Sequence, residues 1–199
     1  MKVFHNTRMG FLTCFFLLAL ANCGGGGGGG DDSGGGGVVA DFAANCMNGD
    51  LCSTNAVTSQ KGTAAGNIVE VQLWLNKLNT TIGEASLDLG FDQTVAAYQG
   101  FTPGTALGTS GSGTLYVVTP MGPGEVLVDI APPAGGKSVS QPALLVTLSF
   151  KVLKTSGGSN FSFRNPDTPT GTALYTANVP PTIILLTSSK WTGGLFSGM

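Results

Sequence analysis

Residues 67–92 constrain the fold of this chain most strongly, because two consecutive runs within them alternate apolar and polar side chains. The apolar positions of the first run are Val69, Val71, Leu73 and Leu75. Those of the second run are Ala85, Leu87, Leu89 and Phe91. A period of two is typical of a β-strand with one buried and one solvated face. The runs therefore predict two strands, and turn-forming side chains predict a turn between them at Asn79, Thr80, Thr81 and Gly83.

The same alternation returns further along the chain, at residues 115–119, 125–130, 144–152 and 161–163, with a short apolar run at 182–187. Clusters of glycine and proline separate these runs and indicate turns. The composition agrees, since 32 of the 199 residues are glycine and only 10% are charged. Long helices would need sustained patterns with a period of 3.6 residues, which the chain lacks. We therefore predict an all-β fold, an antiparallel β-sandwich around one core.

The first 22 residues have the pattern of an export signal. Lys2 and Arg8 precede a short apolar segment at residues 11–21, as in secretory signal peptides. About ten apolar residues are too few to cross a bilayer as a helix, which takes about 20. We expect residues 1–22 to be removed during export.

The sequence after this segment, Leu-Ala-Asn-Cys-Gly at residues 20–24, resembles the lipobox of bacterial lipoproteins. In that family the cysteine becomes the lipid-modified first residue after cleavage. The resemblance implies a lipid anchor at Cys23 and a protein held at the outer membrane or the cell surface. The alternative is a secreted protein cleaved nearby, in which Cys23 has no role.

Residues 24–37 are almost entirely glycine, interrupted by Asp31, Asp32 and Ser33. Such a stretch has no apolar surface to offset the entropy of ordering it. It also lacks the G-K-[ST] sequence that ends a phosphate-binding loop. We therefore predict a flexible tether over residues 23–44 and a folded domain over residues 45–199.

Two cysteines, Cys46 and Cys52, remain once the signal is removed and Cys23 is lipidated. Exported proteins meet an oxidising environment in which disulfides persist. We predict a Cys46–Cys52 disulfide that closes a small loop. The alternative is a metal site with oxygen ligands from Asn45, Asn48 and Asp50, but calcium loops use more carboxylates than this segment offers.

The order of the motifs resembles the cohesin domain family over residues 56–194. After the strand at residues 69–75, the segment IGEASLDLGFD at 82–92 and the segment YQGFTPG at 98–104 are similar to the start of that domain. The segment PALLVTLSFKV at 142–152 is similar to its long apolar strand, and SSKWTGG at 188–194 to its glycine-ended last strand. Gln93 departs from the family, which usually has proline there. The resemblance implies a jelly-roll sandwich of about nine strands that holds a dockerin, a helical module with duplicated calcium loops, often in polysaccharide degradation.

No residue pattern indicates catalysis. The only histidine, His5, lies in the export signal, so the remaining chain has no imidazole base for a nucleophile. Asp88, Asp92, Glu125 and Asp129 fall on polar phases or at turns, where solvated surface charge explains them. The net charge of −2 without a basic run argues against nucleic-acid binding. We therefore expect a binding protein with no enzyme activity and no cofactor.

The resemblance also implies where a partner binds. If the family topology applies, strands at residues 84–91, 125–131, 143–153 and 159–164 share one sheet. Its outward residues would form the partner-binding face, at Ser86, Asp88, Glu125, Leu127, Asp129, Leu145, Thr147, Ser149, Lys151, Asn160, Ser162 and Arg164. Leu127 and Leu145 are apolar residues on a face that we expect to be exposed to solvent. Either they mark the centre of an interface, or another segment of the chain covers them.

Two other functions remain open. A polysaccharide-binding module would stack sugar rings on exposed aromatic side chains. The candidates include Trp74, Tyr98, Tyr116 and Tyr175, and Trp74 stands out because it lies on the polar side of its strand. Trp191 is a further candidate unless it closes the core near the terminal strand. The other alternative is a structural component of a surface appendage or adhesin.

Overall fold

The computed structural model describes residues 37–46, 52, 54–186 and 190–199. The export signal at residues 1–22 and Cys23 lie outside the described residues. Within them the chain forms thirteen strands. Their bounds are β1 Ala40–Ala44, β2 Ala56–Ala65, β3 Ile68–Asn76, β4 Leu78–Gly90, β5 Ala96–Pro103, β6 Leu115–Gly122, β7 Glu125–Ala131, β8 Lys137–Val139, β9 Ala143–Val152, β10 Gly158–Phe163, β11 Ala173–Thr176, β12 Trp191–Thr192 and β13 Gly194–Gly198. In this part of the chain no helix is long and apolar enough to cross a membrane.

The strands form two sheets that face each other. The first has eight strands, with β1, β13, β10, β4, β7 and β6 side by side in that order and with β8 and β11 also paired to β4. The second has five strands in the order β12, β2, β3, β9, β5. The predicted all-β sandwich is confirmed, with more strands than the predicted nine because short terminal and edge strands join both sheets.

The two runs at residues 67–92 are strands, but they do not lie in the same sheet. β3 belongs to the five-stranded sheet and β4 to the eight-stranded sheet. The predicted turn at residues 79–83 is wrong, since these residues extend β4 and pair in part with β8. The chain crosses between the sheets at Lys77 alone, which has a left-handed backbone with φ of 48°. Asn76 and Leu78 on either side of it are buried, so the crossing is close to the core.

The core between the sheets is built around aromatic rings. Phe150 on β9 packs against Phe91, Tyr98, Phe161 and Phe196 with ring centroids 4.8–5.9 Å apart. Edge-to-face and tilted ring pairs at these distances are favourable beyond the area that they bury. Trp191 is also buried, 5.4 Å from the ring of Phe163, so it closes the core instead of offering a platform for sugars.

The assignment of residues 40–44 to the tether is wrong, because they form β1 and pair with β13. Phe42 is buried and packs against Phe161 and Phe196. Alternation at Ala40, Phe42 and Ala44 buries one side of this strand. The flanking glycines obscured the strand in the sequence, and the folded unit begins near residue 36.

The predicted disulfide joins Cys46 to Cys52, whose Cα atoms lie 5.7 Å apart. The side-chain amide of Gln60 on β2 donates a hydrogen bond to the carbonyl oxygen of Cys46, at 3.0 Å. This hydrogen bond therefore attaches Cys46, and with it the disulfide loop between β1 and β2, to the outside of the five-stranded sheet. Asn48 and Asp50, the alternative metal ligands, lie outside the described residues.

Candidate binding face on the eight-stranded sheet

Four neighbouring strands, β10, β4, β7 and β6, form the outer surface opposite the core side of the eight-stranded sheet. The pairing register places Ser86 beside Asp129, Asp88 beside Leu127 and Gly90 beside Glu125. It also places Val117 beside Asp129 and Thr119 beside Leu127. We call this surface the outer face, formed by Ser86, Asp88, Leu115, Val117, Thr119, Met121, Glu125, Leu127, Asp129, Asn160, Ser162 and Arg164.

Four predicted face residues are not on this surface. Leu145, Thr147, Ser149 and Lys151 lie on β9, which pairs with β3 and β5 in the other sheet. Leu145 is fully buried in the core, and Thr147 is buried on the outside of the five-stranded sheet. A register irregularity explains Leu145, because Leu73 and Trp74 of β3 face Val146 and Leu144, so Leu145 is an extra residue between them.

β6, and not β9, completes this surface beside β7, and none of its residues is among the predicted face residues. Leu115, Val117 and Met121 are 61%, 41% and 58% exposed. The inward phase is set by Tyr116, whose hydroxyl lies 3.0 and 2.8 Å from the carbonyl oxygens of Gly104 and Gly108. The sequence of β6 contains a signal for this surface, because both its odd-numbered and its even-numbered positions carry apolar side chains. One of these two sets must face outward.

Charged side chains lie together at the centre of the outer face. Arg164 follows β10, and its guanidinium group forms an ion pair with Glu125 and lies 3.9 Å from Oδ2 of Asp88. The side chain of Asp88 is only 13% exposed, and its Oδ1 is buried and has no hydrogen-bond partner within the part of the chain that the structure describes. Burial, and next the negative charge of Glu125, raise the pKa of the Asp88 carboxyl, while Arg164 opposes the rise. This environment disfavours the charged form of Asp88.

We expect Asp88→Asn to raise the free energy of unfolding near neutral pH by about 1 kcal/mol, because its amide can donate a hydrogen bond to Glu125. A carboxyl with a raised pKa destabilises the fold once it is ionised, above that pKa. The destabilisation disappears as the pH falls through the raised pKa towards 3.8, the usual value. The gain should therefore be present at neutral pH and should shrink in acid, measured by urea unfolding from pH 7 to pH 3.

Asp41→Asn is the control for this experiment, because its carboxyl has the opposite shift. The hydrogen bond with Lys61 is the main reason why the pKa of Asp41 is lowered. Its ionised form therefore stabilises the fold above the usual value near 3.8, and that contribution is lost as the pH falls through the lowered pKa. Effects of the same sign in both variants at neutral pH would contradict this assignment.

Trp74, the predicted sugar-stacking residue, lies on the other sheet. It is half-buried on the outside of β3, between Thr58 of β2 and Leu144 of β9. Its indole N–H donates a hydrogen bond to Oε1 of Gln72 at 3.3 Å. Trp74 and the outer face of the eight-stranded sheet are therefore separate surfaces. Among the described residues, no three side chains of the types that bind metals come together.

Comparison with known families gives one match. The profile of the cohesin domain matches residues 54–179 of the 199 in this chain, which is more than half. The match runs from just before β2 to just after β11, so β1, β12 and β13 lie outside it. No curated protein matches the chain.

Several solved structures have a similar fold. A type II cohesin domain from the cellulosome of Acetivibrio cellulolyticus has a TM-score of 0.52 at 19% identity, covering 66% of this chain and 88% of that one. CaCohA2 of Clostridium acetobutylicum, solved in a complex with CaDoc0917, has a TM-score of 0.51 at 18% identity, covering 64% and 90%. The sixth cohesin of A. cellulolyticus scaffoldin B, solved with the Cel5 dockerin, has a TM-score of 0.47 at 13% identity, covering 79% and 96%. At these identities the likeness concerns the fold alone.

Proposed function

The chain belongs to the cohesin domain family, and from that premise we propose that it is a non-catalytic module that holds a dockerin-like protein on the outer face. The observation that carries this proposal is the exposure of Leu115, Val117 and Met121 on the outward side of β6. A one-sided antiparallel sheet usually presents polar residues to water. Contiguous exposed apolar side chains with a polar rim are typical of protein interaction sites.

The proposed contact residues fall into two groups. The apolar group is Leu115, Val117, Met121 and the half-buried Leu127. The polar group surrounds Leu127 on β4, β7 and the end of β10, and consists of Ser86, Asp88, Glu125, Asp129 and Arg164. This arrangement resembles the apolar centre and charged rim of known interfaces.

The size of the sheet surface sets a limit on this interface. Four strands about 4.8 Å apart and about seven residues long form a surface of about 400 Å². A stable interface usually buries about 800 Å² on each partner. Loops beside the sheet must therefore contribute, and residues 165–172 are suitable because Pro169, Thr170 and Gly171 border the face next to Asp88.

The test is binding of purified dockerin modules to the soluble chain from residue 24 onward, by surface plasmon resonance with and without calcium. We expect micromolar or tighter binding that chelation abolishes, because the calcium loops of the partner then unfold. Absence of binding to any dockerin in a broad panel would contradict the proposal. Retention on cellulose, xylan or chitin that is lost in Trp74→Ala would instead support a polysaccharide-binding module. Failure of both arms would favour a structural surface component.

We also propose that the protein is exported and anchored by lipid at Cys23. The apolar segment at residues 11–21 and the lipobox-like residues 20–24 support this. Because Val38 packs against the core and the backbone of Val39 pairs with that of Met199, the tether that we propose ends near residue 36 and not at residue 44. It is long enough to hold the outer face away from a membrane surface.

A further inference from the structure

The apolar and acidic residues of the outer face are segregated. The outward positions of β6 carry no charge, whereas β7 and β4 carry Glu125, Asp129 and Asp88. The exposed side chains of Leu115, Val117 and Met121 on β6 form an apolar row. Adjacent strands lie about 4.8 Å apart, so the acidic positions begin about 5–10 Å from this row. An α-helix is about 10 Å wide and can cover both at once. The layout therefore fits a helix whose apolar stripe lies beside a row of polar side chains.

The charges on this face do not balance. Asp88, Glu125 and Asp129 are three carboxylates, and Arg164 is the one cation that forms an ion pair with any of them among the described residues. Asp129 lies beside Ser86 and Val117, neither of which carries a charge. The excess negative charge is complementary to basic side chains on a partner.

A pocket on the outer face is lined by groups that are complementary to a basic side chain. Its volume is about 280 Å³, and it is lined by Ser86, Asp88, Met121, Glu125, Leu127, Pro169, Thr170 and Gly171. Lysine and arginine combine an aliphatic stem with a charged tip. Met121, Leu127 and Pro169 suit the stem, and the carboxylates suit the tip. Arg164 already occupies one side of Glu125, which indicates that this acidic pair accepts a guanidinium group.

The loop that forms one wall of the pocket is held in place. Oδ1 of Asp167 accepts hydrogen bonds from the backbone N–H of Leu186 and the indole N–H of Trp191, both at 3.1 Å. The hydroxyl of Thr172 bonds to the backbone N–H and the carbonyl oxygen of Asp88, at 3.0 and 2.9 Å. A wall that is ordered before binding lowers the entropic cost of ordering an incoming side chain.

We propose that the outer face selects helical partners that flank an apolar stripe with lysine or arginine, and that the pocket at Asp88 and Glu125 takes one of these cations. This inference rests on the proposed function, because it names the chemistry of the partner for the same face. It goes further by predicting that neutral or acidic helices of equal apolar content bind poorly.

The test uses three synthetic helical peptides of about 18 residues with the same leucine stripe, flanked by lysine, glutamine or glutamate. Binding to the soluble chain from residue 24 onward is measured by fluorescence anisotropy at 0.15 M salt. We expect the lysine peptide to bind at least about tenfold more tightly than the glutamine peptide, and the glutamate peptide to bind least. Equal affinities for the lysine and glutamine peptides, or no binding of the lysine peptide, would overturn the proposal.

Variants locate the effect on the chain. Asp88→Asn and Asp129→Asn should each weaken the lysine peptide by about threefold to tenfold, as expected for loss of one interfacial charge. Glu70→Gln removes a carboxylate from the other sheet and should leave the affinity unchanged. An equal loss in all three variants would show general attraction to an acidic protein and would overturn the proposal.

The outcome is separable from that of the proposed function. If dockerin modules bind the chain but the peptides do not discriminate by charge, this inference fails and the proposed function stands. If no dockerin binds while the lysine peptide is selected through Asp88 and Asp129, the proposed function fails and the charge selectivity stands. Because Asp88→Asn is expected to stabilise the fold, loss of binding in this variant would not result from unfolding.

Discussion

Val117→Lys is expected to weaken binding of a dockerin module by at least about 30-fold, the factor that corresponds to about 2 kcal/mol. Val117 lies on the apolar row of the outer face, beside Asp129. A lysine there removes apolar contact, adds a bulky cation and repels a basic partner. The free energy of unfolding should change by less than about 0.5 kcal/mol, because the position is exposed and the new cation faces a carboxylate.

The matched control is Val39→Lys. Val39 is 49% exposed, against 41% for Val117, and it precedes β1, which is the opposite edge strand of the same sheet. Surface plasmon resonance should give the same dissociation constant for this variant as for the parent chain. Equal losses in both variants, or full binding by Val117→Lys, would exclude the β6 side of the outer face from the interface.

Phe42→Ala is expected to lower the free energy of unfolding by about 3–5 kcal/mol, the usual cost of removing a buried aromatic ring. The ring of Phe42 packs edge-on against Phe161 and Phe196, with centroids 5.9 and 5.1 Å away. Its removal leaves a cavity between β1 and the core and loosens the pairing of β1 with β13. Urea unfolding at neutral pH measures the loss. A detectable fraction of unfolded protein at urea concentrations below the transition would also indicate it.

Phe101→Ala provides the comparison for this variant. Phe101 is 38% exposed on β5, an edge strand of the other sheet, so its loss should cost less than about 1 kcal/mol. If Phe42→Ala costs no more than Phe101→Ala, β1 does not contribute to the stability of the domain. Residues 40–44 would then behave as the tether that the sequence predicted.

The strands were largely predictable because the alternation of a strand is a local property. Val69, Leu73, Leu87 and Leu89 are buried as their two-residue period requires. The period says nothing about which strand lies alongside. β3 and β4 are adjacent in the sequence but lie in different sheets. The chain passes from one sheet to the other at a single residue with a left-handed backbone, Lys77.

The outer face was predictable in part for the same reason. Ser86, Asp88 and Leu127 lie together on it because the outward phases of β4 and β7 follow from their own sequences. The assignment of β9 failed because pairing with β3 and β5 is a long-range choice. β6 was missed because both of its phases are apolar, so only the position of Tyr116 over the core decides which side faces outward.

Residues 67–92 by themselves determined that this chain is an all-β protein, since the period of two at Val69–Leu75 and Ala85–Phe91 depends on neighbouring residues alone. The sequence also determined the pairing of Cys46 with Cys52, the two cysteines of the folded domain. Only the tertiary structure decided which strands share the outer face and that β1 belongs to the domain. It alone placed Arg164 between Asp88 and Glu125. These features depend on contacts between residues far apart in the sequence, and competition among alternative strand pairings settles them only when the whole core is packed.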